Sequence, residues 1–199
     1  MKKGLIALLA VVGIIGILVI SIIGRYNGLV DLEENVNEKW AQVENVYQRR
    51  LDLIPNLVNT VKGYASHEKE TLEAVVKARA SASQITPEGL GNVLNNPQAF
   101  EKFQAAQSGL SSALSRLMVV VERYPELKAN QNFLNLQSQL EGTENRIAVE
   151  RMRFNESVRE FNSTVRKFPT VMIAGLFGFQ KKNLFEASEG AEKAPEVKF

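Results

Sequence analysis

His67, in the stretch Ser66-His67-Glu68-Lys69-Glu70, is the chain's one histidine and its most obvious candidate for chemistry. A metal site would need further ligands at fixed spacing, and no second histidine and no cysteine exist to supply them. The plainer reading is a solvent-facing residue near a helix start. No Gly-rich phosphate loop, Gly-x-Ser-x-Gly elbow or Ser/His/Asp set occurs. Paired carboxylates such as Glu33-Glu34 read as solvated helix faces. The residues therefore point to no catalysis, no metal and no cofactor.

The informative polar groups are those that fall among apolar ones. From Val36 the apolar residues recur at steps of four and three: Val36, Trp40, Val43, Tyr47, then Ile54, Leu57, Val61 and Tyr64. That is the seam of a long helix packed on other long helices. A side row at Leu51, Val58, Ala65 and Leu72 widens the stripe toward a bundle. Continuing the count puts Arg50 in the core, and the same count on a later helix puts Gln137, Glu144 and Arg151 on its seam. Charges are rarely buried unpaired, because an isolated one costs several kcal/mol. Arg50 is therefore expected to meet Glu144 and fix helix register. The alternative is a polar cleft lined by Arg50, Asn56 and Glu144 for a solute. Pro55, inside the helical pattern, is expected to kink or unwind the helix near Leu51.

Three long helices position these groups. The first breaks at Gly63, or at Ser66 acting as a cap, before continuing toward Ala82. Gln84 to Asn96 is a connector in which Thr86-Pro87 starts a short turn. Asn96-Pro97 gives an N-cap followed by proline at the first helical position. The second helix carries Phe100, Phe103, Leu110, Leu114, Leu117, Val121 and Tyr124, and Pro125 ends it. A third starts near Asn130 and carries Phe133, Leu140, Ile147, Phe154, Val158, Phe161, Val165 and Phe168, stopping at Pro169. The fold class is all-α: an N-terminal transmembrane helix, then an up-down bundle of three long helices with short helical segments. Thr170 to Phe179 is apolar but too short to span a bilayer. It packs on the bundle, dips into the membrane interface or seals a subunit contact. The tail from Glu186 is expected to be disordered alone.

Gly4 to Gly24 contains no charge. As a helix it reaches about 31 Å, matching a hydrocarbon core of about 30 Å. It is too long for the apolar core of a signal peptide, and Ile22-Ile23-Gly24 puts bulky residues where a peptidase wants small ones. Residues 1–25 are thus expected to anchor, 26–185 to form the bundle, and 186–199 to form a flexible tail. Lys2 and Lys3 precede the span and Arg25 follows it, which favours a cytoplasmic N-terminus and places the domain outside, in a periplasm or on a cell surface. The formal charge of +2 comes from those three residues. Beyond Tyr26 there are 21 basic residues against 22 acidic ones, which is no footprint for nucleic acid.

Trp40-Ala41-Gln42-Val43, Arg49-Arg50-Leu51-Asp52-Leu53-Ile54-Pro55-Asn56-Leu57-Val58 and Val61-Lys62-Gly63-Tyr64 resemble the first half of the LemA family. Leu127-Lys128-Ala129-Asn130, Leu136-Gln137, Leu140 to Ile147 and Arg151-x-x-Phe154-Asn155 resemble its second half. Arg49, Asp52, Asn56, Asn145, Arg146 and Asn155 stand at family-motif positions. The family's Arg-Tyr-Asn reads Arg153-Phe154-Asn155 here, one hydroxyl fewer. The resemblance implies a membrane-anchored bacterial bundle without established enzymatic activity. It further implies a role in membrane organisation or protein quality control. Expected partners are membrane lipid, further copies of the chain and membrane proteins such as a membrane protease.

Overall fold

The computed structural model describes residues 2–84 and 93–186. Among the described residues six helices follow one another: α1 (Lys2–Tyr64), α2 (Lys69–Ser83), α3 (Pro97–Val121), α4 (Pro125–Lys128), α5 (Gln131–Arg166) and α6 (Thr170–Phe177). No strand occurs among the described residues. The Thr86-Pro87 turn and the tail beyond Glu186 lie outside the described residues.

The expected anchor and first bundle helix are one element. No proline separates the apolar run from Val36, and α1 continues through Arg25, Tyr26 and the Asn27-Gly28 pair. Among the described residues it is the one helix long and apolar enough to cross a membrane. Its best window reaches a mean hydropathy of 3.2 with none of it buried. α1 also continues through Pro55, so the expected unwinding near Leu51 does not occur. Proline removes one backbone bond there. Burial of Leu51, Ile54 and Leu57 around it offsets that loss. The break instead falls after Tyr64, and Glu68 rather than Ser66 occupies the cap position of α2.

The chain divides into two compact units, and α1 and α5 each contribute to both. The first comprises residues 1–53 and 135–182. Here α1 and α5 run antiparallel. Trp40 packs on Phe154 with ring centroids 5.2 Å apart, and Arg50 pairs with Glu144, so ten residues forward on α1 match ten back on α5. Leu29, Val36, Val43 and Tyr47 from α1 are buried with Ile147, Phe154, Val158, Phe161 and Val165 from α5. Phe154 is fully buried against Trp40, so its ring serves packing without needing a hydroxyl. Phe168, expected on this seam, is 81% exposed because α5 ends at Arg166 and the chain turns at Pro169.

The second unit comprises the described residues within 54–134 and 183–186. Its core gathers Ile54, Leu57 and Val61 of α1, Leu72 and Val75 of α2, and Phe100, Phe103, Leu110, Leu114 and Leu117 of α3. Asn96 caps α3 as the sequence suggests: its side chain accepts from the backbone N–H groups of Gln98 (3.0 Å) and Ala99 (3.2 Å), with Pro97 next. α3 gives way at Val121, and Pro125 opens the single turn of α4. The Tyr124 hydroxyl donates to Glu68 at 3.0 Å, and Arg123 pairs with the same carboxylate at 3.1 Å. These bonds tie the end of α3 to the start of α2. Asn130 accepts from Phe133 N–H at 3.0 Å at the start of α5, and donates to the Tyr64 hydroxyl at 2.9 Å.

Candidate functional site

The expected polar core is centred in the first unit on Arg50. This residue is 1% exposed, the largest of the fully buried side chains. The heptad count places it inward from α1, between Tyr47 and Ile54. Its guanidinium donates to Glu144 at 2.9 Å and lies 5.0 Å from the Tyr47 ring centroid. The two partners differ in setting: the Arg50 side chain is 2% exposed and that of Glu144 41%. Glu144 thus compensates the buried guanidinium while keeping part of its own hydration, which softens the desolvation penalty of the pair.

Arg151, two turns farther along α5, donates to the Tyr47 hydroxyl. Tyr47 is held above its ordinary pKa chiefly by burial, with Glu144 acting in the same direction and Arg151 and Arg50 opposing. The phenol therefore stays protonated and serves as a hub between the two arginines. Nearby, burial raises the Glu44 pKa, against the Trp40 indole N–H, which favours the carboxylate.

The structure revises which polar groups fill the α5 seam. Glu144 and Arg151 are half-buried, and so is Gln137, which donates to Glu141 on its own helix at 3.0 Å. The polar residues in the core are instead Thr143 (2% exposed) and Ser157 (5%). Each hydroxyl donates to a carbonyl of its own helix, Thr143 to Gln139 at 2.7 Å and Ser157 to Phe154 at 2.8 Å. A hydroxyl satisfied locally can enter an apolar core. Both stand three residues after one seam position and four before the next, Leu140 and Ile147 or Phe154 and Phe161, so the spacing admits them and only their polarity conceals them.

The remaining sequence-derived positions are mostly at the surface. Arg49, Asp52, Pro55, Asn56, Asn145 and Arg146 are exposed, and Asn155 is half-buried. Asp52 accepts from Gln48 at 2.8 Å. Asn56 belongs to the second unit, whereas Arg50 and Glu144 belong to the first. His67 is exposed, and no cluster of three or more potential metal ligands occurs among the described residues.

Two features were not read from the sequence. Lys182 is 8% exposed, donates to Glu33 at 2.6 Å and lies 5.6 Å from the Phe161 ring centroid. Asn162 clasps its backbone, donating to the Lys182 carbonyl and accepting from its N–H, both at 2.9 Å. The strap after α6 is thereby locked to α1 and α5. The second feature is a groove of about 510 Å³ in the same unit, lined by residues that include Glu38, Lys39, Gln42, Glu150, Arg153 and Glu160. Its cations are engaged locally, Lys39 with Glu38 and Arg153 with Glu150, both at 2.8 Å.

The order of these elements and the motifs they carry have a counterpart among known proteins. The family model described as LemA family matches residues 39–199. The chain belongs to the LemA family. It is 29% identical over 181 residues to a magnetosome protein, MamQ, of Magnetospirillum gryphiswaldense, covering 84% of this chain and 66% of that protein. It is 27% identical over 182 residues to MamQ 2 of Paramagnetospirillum magneticum, covering 84% and 67%. Protein LemA of Metamycoplasma hominis is 24% identical over 167 residues, covering 84% and 71%. The chain thus spans about two thirds of the length of the magnetosome relatives. Within the LemA family it is a membrane-associated helical protein.

Proposed function

We propose that this LemA-family chain is a membrane-tethered scaffold that assembles with itself or with other membrane proteins. The observation that carries the reading is the unbroken α1, which runs from an apolar span directly into a packed helical unit. A continuous helix couples that unit to the span, whereas a flexible linker would let it tumble. Chains confined to one surface meet at high effective concentration, so weak contacts between bundles suffice for assembly. The likeness to magnetosome proteins, whose names place them at an organelle, supports a role in organising membranes. Association with membrane-protein quality control, for example with a membrane protease, is the second role compatible with a tethered bundle. Lys2 and Lys3 against Arg25 favour the bacterial inner membrane with the bundle on its outer side. Protease added to intact spheroplasts should then cleave the bundle; cleavage only after lysis would reverse that orientation.

The scaffold reading is tested by the mass of the detergent-extracted protein, measured by light scattering. A multiple of the chain mass, or a stoichiometric co-purifying membrane protein, is expected. A strict monomer with no partner would overturn it.

A second reading, a receptor for a polar solute, draws on the groove between Glu38 and Glu160. In the originally expected cleft, Arg50 is committed to Glu144 and the Tyr47 ring, which disfavours a solute there. Calorimetric titration with cationic solutes, showing no saturable heat, would dispose of the receptor reading.

A further inference from the structure

α6 is apolar on every side. Thr170, Ile173 and Ala174 turn inward and are buried. Val171, Met172, Leu176 and Phe177 turn outward, 44%, 67%, 78% and 51% exposed, and Phe168 just before them is 81% exposed. No charged residue occurs from Phe168 to Phe179. Single exposed apolar side chains are ordinary, but five within the ten residues from Phe168 to Phe177 mark a contact with something apolar.

The position of α6 indicates what covers it. Arg25, the first charged residue after the apolar run of α1, donates to the Thr170 hydroxyl at 3.3 Å. Tyr26 packs on Phe177, centroids 4.8 Å apart, and edge-on to Phe179 at 5.8 Å. α6 therefore sits against the level at which α1 leaves the hydrocarbon. Tyrosine is at home there, with its ring in the acyl boundary and its hydroxyl among headgroups. Gly178, in the left-handed conformation (φ 80°), ends α6 and turns the chain back toward the Lys182 clasp, which fixes α6 in place. Flanking the apolar stretch, Arg166, Lys167 and Lys181 are exposed. Three cations around one apolar patch match anionic headgroups over acyl chains. In a symmetric contact between two copies the same cations would face like charges.

We infer that α6 is a second membrane-contact site, seated in the interface with Phe168, Met172 and Leu176 among the lipid acyl chains. It rests on α1 crossing the membrane but not on self-assembly. Seated so, α6 fixes both tilt and rotation of the bundle about α1. A single spanning helix alone leaves the rotation free.

The chain has no cysteine, so single labels can be placed at will. Met172→Cys, Leu176→Cys and, as a control on exposed α5, Met152→Cys (61% exposed) carry an environment-sensitive fluorophore. The full chain is reconstituted in vesicles of phosphatidylcholine and phosphatidylglycerol, and unchanged Trp40 emission certifies the fold. Labels at 172 and 176 should be quenched several-fold more by lipids brominated near the headgroup than the label at 152, whatever the lipid-to-protein ratio. Equal quenching of all three by aqueous iodide would overturn the inference. Shielding from both quenchers that disappears on dilution with lipid would also overturn it, by assigning α6 to a second copy. A strict monomer with no co-purifying membrane protein, but with lipid-quenched α6, would refute the scaffold and leave this inference standing.

Discussion

Removing Glu144 should cost stability only while Arg50 is present. The Arg50 side chain is 2% exposed and its Glu144 partner, 2.9 Å away, 41%. At an effective dielectric of 20, two unit charges 4 Å apart attract by about 4 kcal/mol, and in bulk water by about 1 kcal/mol. A pair with one end buried and one half in solvent falls between these limits. Leaving a buried charge without its partner costs about 1–3 kcal/mol, more when it is sealed from water. Glu144→Ala is therefore expected to destabilise the first unit by about 2 kcal/mol. In an Arg50→Met background no buried cation remains to be orphaned, and the same change should be nearly neutral. Urea denaturation in detergent micelles, followed by fluorescence, provides the assay. Trp40 is the chain's one tryptophan and lies buried in the same unit, 5.2 Å from the Phe154 ring. A coupling energy of about 2 kcal/mol is expected. Equal costs of Glu144→Ala in both backgrounds, within about 0.5 kcal/mol, would refute the assignment of Arg50 and Glu144 as a register-setting pair.

Burial holds Glu44 above its ordinary pKa of 4.5, so the folded state binds its proton more tightly than the unfolded one. Stability attributable to this group is then greatest in acid and falls as pH rises from 4.5 through the folded value. Glu44→Gln should be more stable than wild type at neutral pH, and the two should converge below pH 4.5 in urea denaturation series. Asn96→Ala removes the acceptor for two backbone N–H groups of α3 and should lower stability by about 1 kcal/mol, seen as earlier loss of helical circular dichroism. Phe154→Ala empties a fully buried site beside Trp40 and should cost about 3–5 kcal/mol, with a changed Trp40 emission in the folded state.

The helices and their buried faces were legible because three-four spacing survives in isolation. Val36, Trp40, Val43, Tyr47, Ile54, Leu57 and Val61 are all buried, as are Phe100, Phe103, Leu110, Leu114, Leu117 and Val121. The same spacing put Arg50 inside and opposite Glu144. It failed where a turn resets the phase, so that Phe168 was counted on the α5 seam but lies exposed past the helix end. Thr143 and Ser157 fit the spacing but were concealed by their polarity, because their hydroxyls are satisfied within their own turn. Pro55 lies inside α1, where one lost backbone bond does not unwind a helix whose neighbouring turns are anchored by buried leucines. The clasp of Lys182 on Glu33 joins residues 149 positions apart, and no local pattern announces a pairing of that separation. The outward face of α6 left three readings open in the sequence. Only its contacts with Arg25 and Tyr26 tie it to the end of the apolar span.

The claim that the tethered bundles assemble is tested most directly in a bilayer. Single-cysteine chains, half carrying a donor dye and half an acceptor at position 152, are reconstituted together and diluted stepwise with lipid. Energy transfer should exceed that of randomly placed chains, and fall along a saturable binding curve as the chains are spread over more membrane. Transfer equal to the random expectation at every density, with no membrane protein co-purifying from cells, would contradict the scaffold.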